Sequence, residues 1–120
     1  MNFNLTKKNS LKSSSELDLV FKKGDKLSSS LISLHYKHSS NDDLKVAFSV
    51  GKKKHKLAVD RNRIKRLMRE SFRINANNYV DKSISYNIAF VFIGSNLPKY
   101  VDVENSMNSL LLSFKNKALS

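Results

Sequence analysis

Arg61-Asn62-Arg63-Ile64-Lys65-Arg66-Leu67-Met68-Arg69-Glu70 joins five cations and a planar amide to an apolar repeat of helical spacing. Carried on to Phe72, the positions Ile64, Leu67, Met68, Ser71 and Phe72 follow the i, i+3, i+4, i+7, i+8 pattern of a helix with one buried stripe. At about 100° per residue, Asn62, Arg66, Arg69 and Arg73 gather on the opposite side, with Lys65 beside them. Such a helix needs an apolar layer to lie on and offers its other side to a polyanion. Its surroundings sharpen this. Between Lys52 and Arg73 stand ten of the 22 Lys and Arg residues against two acids, Asp60 and Glu70, a net +8 of the chain's +12. Adjacent like charges repel, so this helix asks for an anionic partner that offsets them.

Working outward, the helix is expected to begin between 57 and 61. An Asp60 cap would set Val59 and Ile64 as a hydrophobic staple. Before it, residues 51–56 read as a basic loop. Earlier still, 31–37 alternates, with Ile32, Leu34 and Tyr36 on one side and Ser33, His35 and Lys37 on the other. Residues 44–50 alternate again through Leu44, Val46, Phe48 and Val50. With a polar turn at 39–43 between them, the two runs predict an antiparallel hairpin. A first helix is expected from a Ser15 cap with Glu16 and Asp18 at its positive end. Leu17, Val20 and Phe21 would share one face, and Gly24 would end it. Residues 1–14, with Lys7, Lys8 and Lys12, read as a mobile basic tail. Downstream, 84–93 is almost continuously apolar, the signature of a central strand buried on both faces. Val103, Met107, Leu110, Leu111 and Phe114 trace a last helix introduced by Asp102 and Glu104. The order helix, two strands, helix, strand, helix predicts an α+β fold with helices layered on a small, mostly antiparallel sheet. At 120 residues, one domain is expected.

Composition narrows the function. A pI near 10.0 puts nucleic acid first among partners and an anionic membrane surface second. No apolar run reaches the roughly 20 residues of a membrane helix, and the N-terminus lacks the apolar stretch of a secretory signal. With no cysteine there is no disulfide or thiolate site; a cytoplasmic protein is expected. His35, His38 and His55 stand outside any metal-ligand spacing. Asp42-Asp43 falls in a turn, and Glu16-x-Asp18 and Asp102-x-Glu104 fall at helix starts. Three glycines make no phosphate loop. Neither a catalytic nor a metal site is expected. Phe21 and Tyr36 have two readings: core residues, or stacking platforms for single-stranded RNA at about 1–3 kcal/mol per base.

The run from Arg61 to Arg69 resembles the RNR motif of the bacterial ribonuclease P protein component. Val46-Ala47-Phe48-Ser49-Val50-Gly51-Lys52-Lys53 is similar to that family's strand ending in a Lys pair, and Ala58-Val59-x-Arg61 to its lead into the motif. Val20-Phe21-Lys22-x-Gly24 is similar to the end of its first helix. The likeness runs over 11–114. It implies an α+β sandwich with a left-handed βαβ crossover. It also implies a holoenzyme that removes the 5′ leader of precursor tRNA with Mg²⁺, from a catalytic centre in the RNA subunit. The ion would be held mainly by that RNA, not by protein ligands. By motif position, Lys52, Lys53, Arg61, Asn62, Arg63, Lys65, Arg66 and Arg69 would contact RNA, with Arg73 continuing their face. Phe21 and Tyr36 would line the leader cleft between the first helix and the sheet. Expected partners are the catalytic RNA and precursor tRNA, with no membrane and no obligatory protein partner. Two positions depart from the family pattern: Leu17, where an aromatic is common, and Phe92-Ile93, where a cation is common. A small ribosomal-type structural RNA binder shares the charge but not the motif. A protein-only nuclease would need one of the acid pairs.

Overall fold

The computed structural model describes residues 2–40 and 43–119. A 3-10 turn, Lys7–Asn9, precedes helix α1, Ser14–Lys23. Strands β1, Asp25–Ser28, β2, Ile32–His38, and β3, Lys45–Val50, follow. Helix α2, Ala58–Asn75, then leads through a second 3-10 turn, Ala76–Asn78, to β4, Tyr86–Phe92, and helix α3, Tyr100–Ala118. This is the expected α+β class, with a mixed sheet of order β1-β2-β4-β3.

The expected hairpin between 31–37 and 44–50 does not form. Strand β4 lies between the two, antiparallel to β2 and parallel to β3. The reason is burial. Only β4 is apolar on both faces, so it takes the centre, and the alternating β2 and β3 flank it. The excursion β3-α2-β4 supplies the parallel crossover. Strand β1 was not legible: it is a polar edge strand with one apolar residue, Leu27, pairing with β2 from Asp25↔Tyr36 to Ser28↔Ser33. Asn41 and Asp42, from the anticipated turn, lie outside the described residues.

Register divides the sheet into two faces. Ile32, Leu34 and Tyr36 stand opposite Phe92, Phe90 and Ile88 and turn toward α2 and α3. There Ile64, Met68, Ser71 and Phe72 are fully buried, as are Val103, Met107, Leu111 and Phe114. Phe72 packs edge-on or tilted against Phe3, Phe48 and Phe90 at 5.2–6.0 Å between centroids. The opposite face carries the row His35, Ala89, Ala47. Helix α1 covers part of it through a small cluster of Leu11, Val20 and Ala89, with Leu17 and Ala47 packed alongside.

Three local expectations are corrected. Residues 3–11 are not a mobile tail. Phe3 and Leu11 are buried, Phe3 N–H donates to the Arg73 carbonyl at 2.6 Å, and Leu11 N–H donates to Val46 at 3.0 Å. Phe3, Leu5 and Leu11, set among Lys, Ser and Asn, were the signal. Ser13 rather than Ser15 caps α1, accepting from Glu16 N–H at 3.4 Å. Helix α2 starts at Ala58 without a side-chain cap, so Asp60 sits within its first turn, and Val59, 70% exposed, makes no staple with Ile64. Gly24 ends α1 as expected, but through crowding. A Cβ there would lie 2.4 Å from the Val20 carbonyl oxygen and 2.5 Å from that of Tyr36.

Candidate nucleic-acid interface

The helical facing of α2 is borne out. The stripe of Ile64, Met68, Ser71 and Phe72 is buried, Leu67 is half-buried, and Asn62, Arg63, Arg66 and Arg69 are exposed. Lys65 is half-buried on the flank. Among the described residues, no carboxylate lies within ion-pair distance of Arg63, Lys65, Arg66 or Arg69. The acids near the end of the ridge are engaged elsewhere. Glu70 accepts from Arg73 Nε and Nη2 at 3.1 and 2.5 Å, and that hydrogen bond holds its carboxyl below the usual range. Glu104 accepts from Asn75 at 2.9 Å and from the Tyr100 hydroxyl at 3.1 Å. Burial, then Glu104, pushes that hydroxyl up to about 12, so it stays a neutral donor. Arg73 therefore differs from the other arginines of the face: its charge is already answered.

Lys52 and Lys53 are exposed on a loop whose second half, residues 54–56, is pinned. Arg61 Nη1 donates to the His55 and Lys56 carbonyls at 2.9 and 2.8 Å, tying the loop to the start of α2. His55 is buried, its Nε2 2.8 Å from the Gly94 carbonyl, and Lys54 Nζ donates to the Ile93 carbonyl at 2.9 Å. Arg61 is thus a brace for the loop as well as a cation beside it. Lys54 brings a positive charge to the end of β4, where Phe92 and Ile93 have none. Sequence reading passed over both contacts, because side chain to backbone bonds leave no periodic signal.

The cleft between α1 and the sheet holds one of the two expected aromatics. Phe21 is 44% exposed at the end of α1. Tyr36 is turned to the other face of the sheet, its ring 5.1 Å from Phe114 and 6.0 Å from Tyr86. The period-2 alternation that makes Tyr36 part of the core excludes it from the cleft. His35 stands there instead. Its ring meets Phe21 edge-on at 4.9 Å, and its Nε2 lies 3.2 Å from Ser33 Oγ. Burial, then Lys26 across the strand pair, lowers its pKa below 6.5, so it is neutral at pH 7. At the other end of the cleft Glu16 faces Lys45 at 3.7 Å and Asn87 at 3.3 Å.

Among the described residues, no group of three or more His, Asp or Glu is placed to hold a metal ion, and no helix is long and apolar enough to cross a membrane. Of the acid pairs weighed as nuclease sites, Glu16 and Asp43 are each ion-paired with a lysine.

Known proteins resemble this chain in sequence and in fold. Residues 5–115 match the family model described as Ribonuclease P. The chain is 35% identical over 102 residues to the ribonuclease P protein component of Clostridium kluyveri, covering 84% of this chain and 89% of that protein. It is 33% identical to that of Clostridium botulinum strain Loch Maree, covering 88% and 93%. The RNase P protein of Staphylococcus aureus superposes with a TM-score of 0.73 at 22% identity, over 86% of this chain and 92% of that one. That of Thermotoga maritima gives 0.73 at 22%, over 87% and 96%.

Proposed function

The chain belongs to the ribonuclease P protein family, and from that premise we propose that it is the protein subunit which binds the catalytic RNA and the 5′ leader of precursor tRNA. The observation that carries this reading is the cationic ridge of α2. Arg63, Arg66 and Arg69 are exposed without carboxylate partners, above a stripe that is fully buried. Guanidinium forks match phosphate oxygens in pairs, and the Asn62 amide can bond a sugar hydroxyl or a base edge. The braced loop continues the surface through Lys52 and Lys53. With the ridge on the RNA subunit, the cleft beside α1 receives the single-stranded leader. Phe21 offers it a stacking edge, and neutral His35 a hydrogen-bonding nitrogen.

The chain's contribution to cleavage is affinity and positioning. Phosphates brought together at the junction of two RNAs repel, and the ridge lowers that repulsion, so less Mg²⁺ is needed for the same occupancy. In this reading the reactive Mg²⁺ is held by RNA, in a cytoplasmic ribonucleoprotein. Reconstitution with the RNA subunit tests it: the chain should raise precursor-tRNA cleavage at low Mg²⁺ and have little effect at high Mg²⁺. No gain at low Mg²⁺, together with copurification of ribosomal RNA, would favour a structural RNA binder instead.

A further inference from the structure

Away from the cleft, a hollow of about 420 Å³ opens where the N-terminal segment leaves the sheet. Strand β3 is an edge strand. The segment pairs with it once, through Ser10 and Val46, and then turns away into α1. In a strand, the backbone groups of alternate residues point to the same side. Phe48 therefore aims its N–H and C=O outward like Val46, and among the described residues no backbone group meets them on that side. The departing segment supplies Lys7 and Lys12 to the rim, and α2 supplies Arg69 from the other side. All three charged lining residues are positive. The Arg69 guanidinium is held 5.5 Å from the centroid of the Phe48 ring, and both residues line the hollow.

This combination fits a nucleotide. Pockets for small organic ligands measure about 300–1,000 Å³. A guanidinium plane stacks on a base, an unpaired strand edge reads a base by donor and acceptor, and flanking lysines answer phosphates. Arg69 belongs to both the hollow and the α2 ridge, so the two surfaces are continuous. We infer that the hollow takes one unpaired nucleotide of the RNA subunit. Its base would lie against Arg69 and the Phe48 strand edge, and its flanking phosphates against Lys7 and Lys12. This rests on the proposed RNA-binding role and adds a nucleotide subsite to it.

Two experiments test it. Nucleoside 5′-monophosphates titrated into isotope-labelled protein should shift the amides of Ser10, Lys12 and Phe48, as a set separate from any shifts at Phe21 and His35 in the cleft. In the complex, a probe of base reactivity should find one RNA-subunit nucleotide shielded by the wild-type chain and exposed with Lys7→Ala/Lys12→Ala. Affinity should fall by roughly 10-fold at physiological salt as two phosphate contacts are lost. The inference is overturned by shifts confined to the Phe21 cleft with none at Ser10, Lys12 or Phe48, by an RNA subunit whose reactivities do not change, or by a change confined to precursor tRNA. Arg66→Ala separates the levels: if it weakens binding and the lysine pair does not, the hollow alone is wrong; if neither weakens binding, the RNA-binding role fails with it.

Discussion

The two faces of the sheet are built to different standards of closure. Toward α2 and α3 every strand residue from Ile32 to Tyr36 and from Ile88 to Phe92 that points inward is buried, and aromatic rings fill the space between layers. Toward α1 the cover is partial: three buried apolar residues, then polar and half-buried groups, with Phe21 and His35 at the rim. Stability is concentrated on the closed face, and the proposed leader cleft lies on the open one. Helix α2 spans both tasks, since its buried stripe completes the closed face while its cations look outward.

Substitutions can break this division, and the largest effect belongs on the closed face. Phe72→Ala removes a fully buried ring in contact with three others and should destabilise the chain by about 3–5 kcal/mol in chemical denaturation. Arg66→Ala, on the same helix, should stay within about 0.5 kcal/mol. Equal losses would mean that α2 does not separate its two roles. Gly24→Ala comes next. The added Cβ meets two backbone carbonyls, which cannot swing aside, so α1 must shift relative to β2 at about 1–3 kcal/mol. A thermal melt and leader affinity should both register it. Phe21→Ala, on the open face, should leave the fold nearly intact and reduce affinity for a single-stranded leader oligonucleotide by about 1–3 kcal/mol. Tyr36→Phe, facing the core, should leave that affinity unchanged.

The smallest effect is one of pH. Because the folded chain holds His35 below its unfolded pKa of 6.5, the unfolded state binds the extra proton first. The stability from neutral His35 is therefore complete above pH 6.5. It is lost as pH falls from there through the lower folded value. His35→Gln should flatten that part of the stability profile, read as denaturation midpoints between pH 5 and 7.5. An identical slope in the variant would place the titration elsewhere.

Much of this was legible in the residues. The α2 facing and the stripe of α3 follow from a period of 3.6, and the double-sided burial of β4 from an almost unbroken apolar run. The strand order was not. Alternation says which side of β2 and β3 is buried but not which strand lies beside which, and the shortest connection suggested a hairpin that the more apolar β4 displaced. Strand β1 and residues 3–11 escaped for the opposite reason: one apolar residue in β1, and three unevenly spaced in 3–11, carry no period. At the candidate site, the ridge was readable as charge. Tyr36 has the chemistry of a stacking platform, but its parity with Ile32 and Leu34 places it in the core. Lys54, His55 and the Arg61 brace became visible only in three dimensions.

The salt dependence of affinity for the RNA subunit tests the cationic ridge most directly. If about six phosphates are neutralised, log K should fall with log salt at a slope near −5. Arg63→Ala/Arg66→Ala should make that slope shallower by about two while the denaturation midpoint holds. An unchanged slope in a folded double variant would contradict the claim that this face docks on RNA.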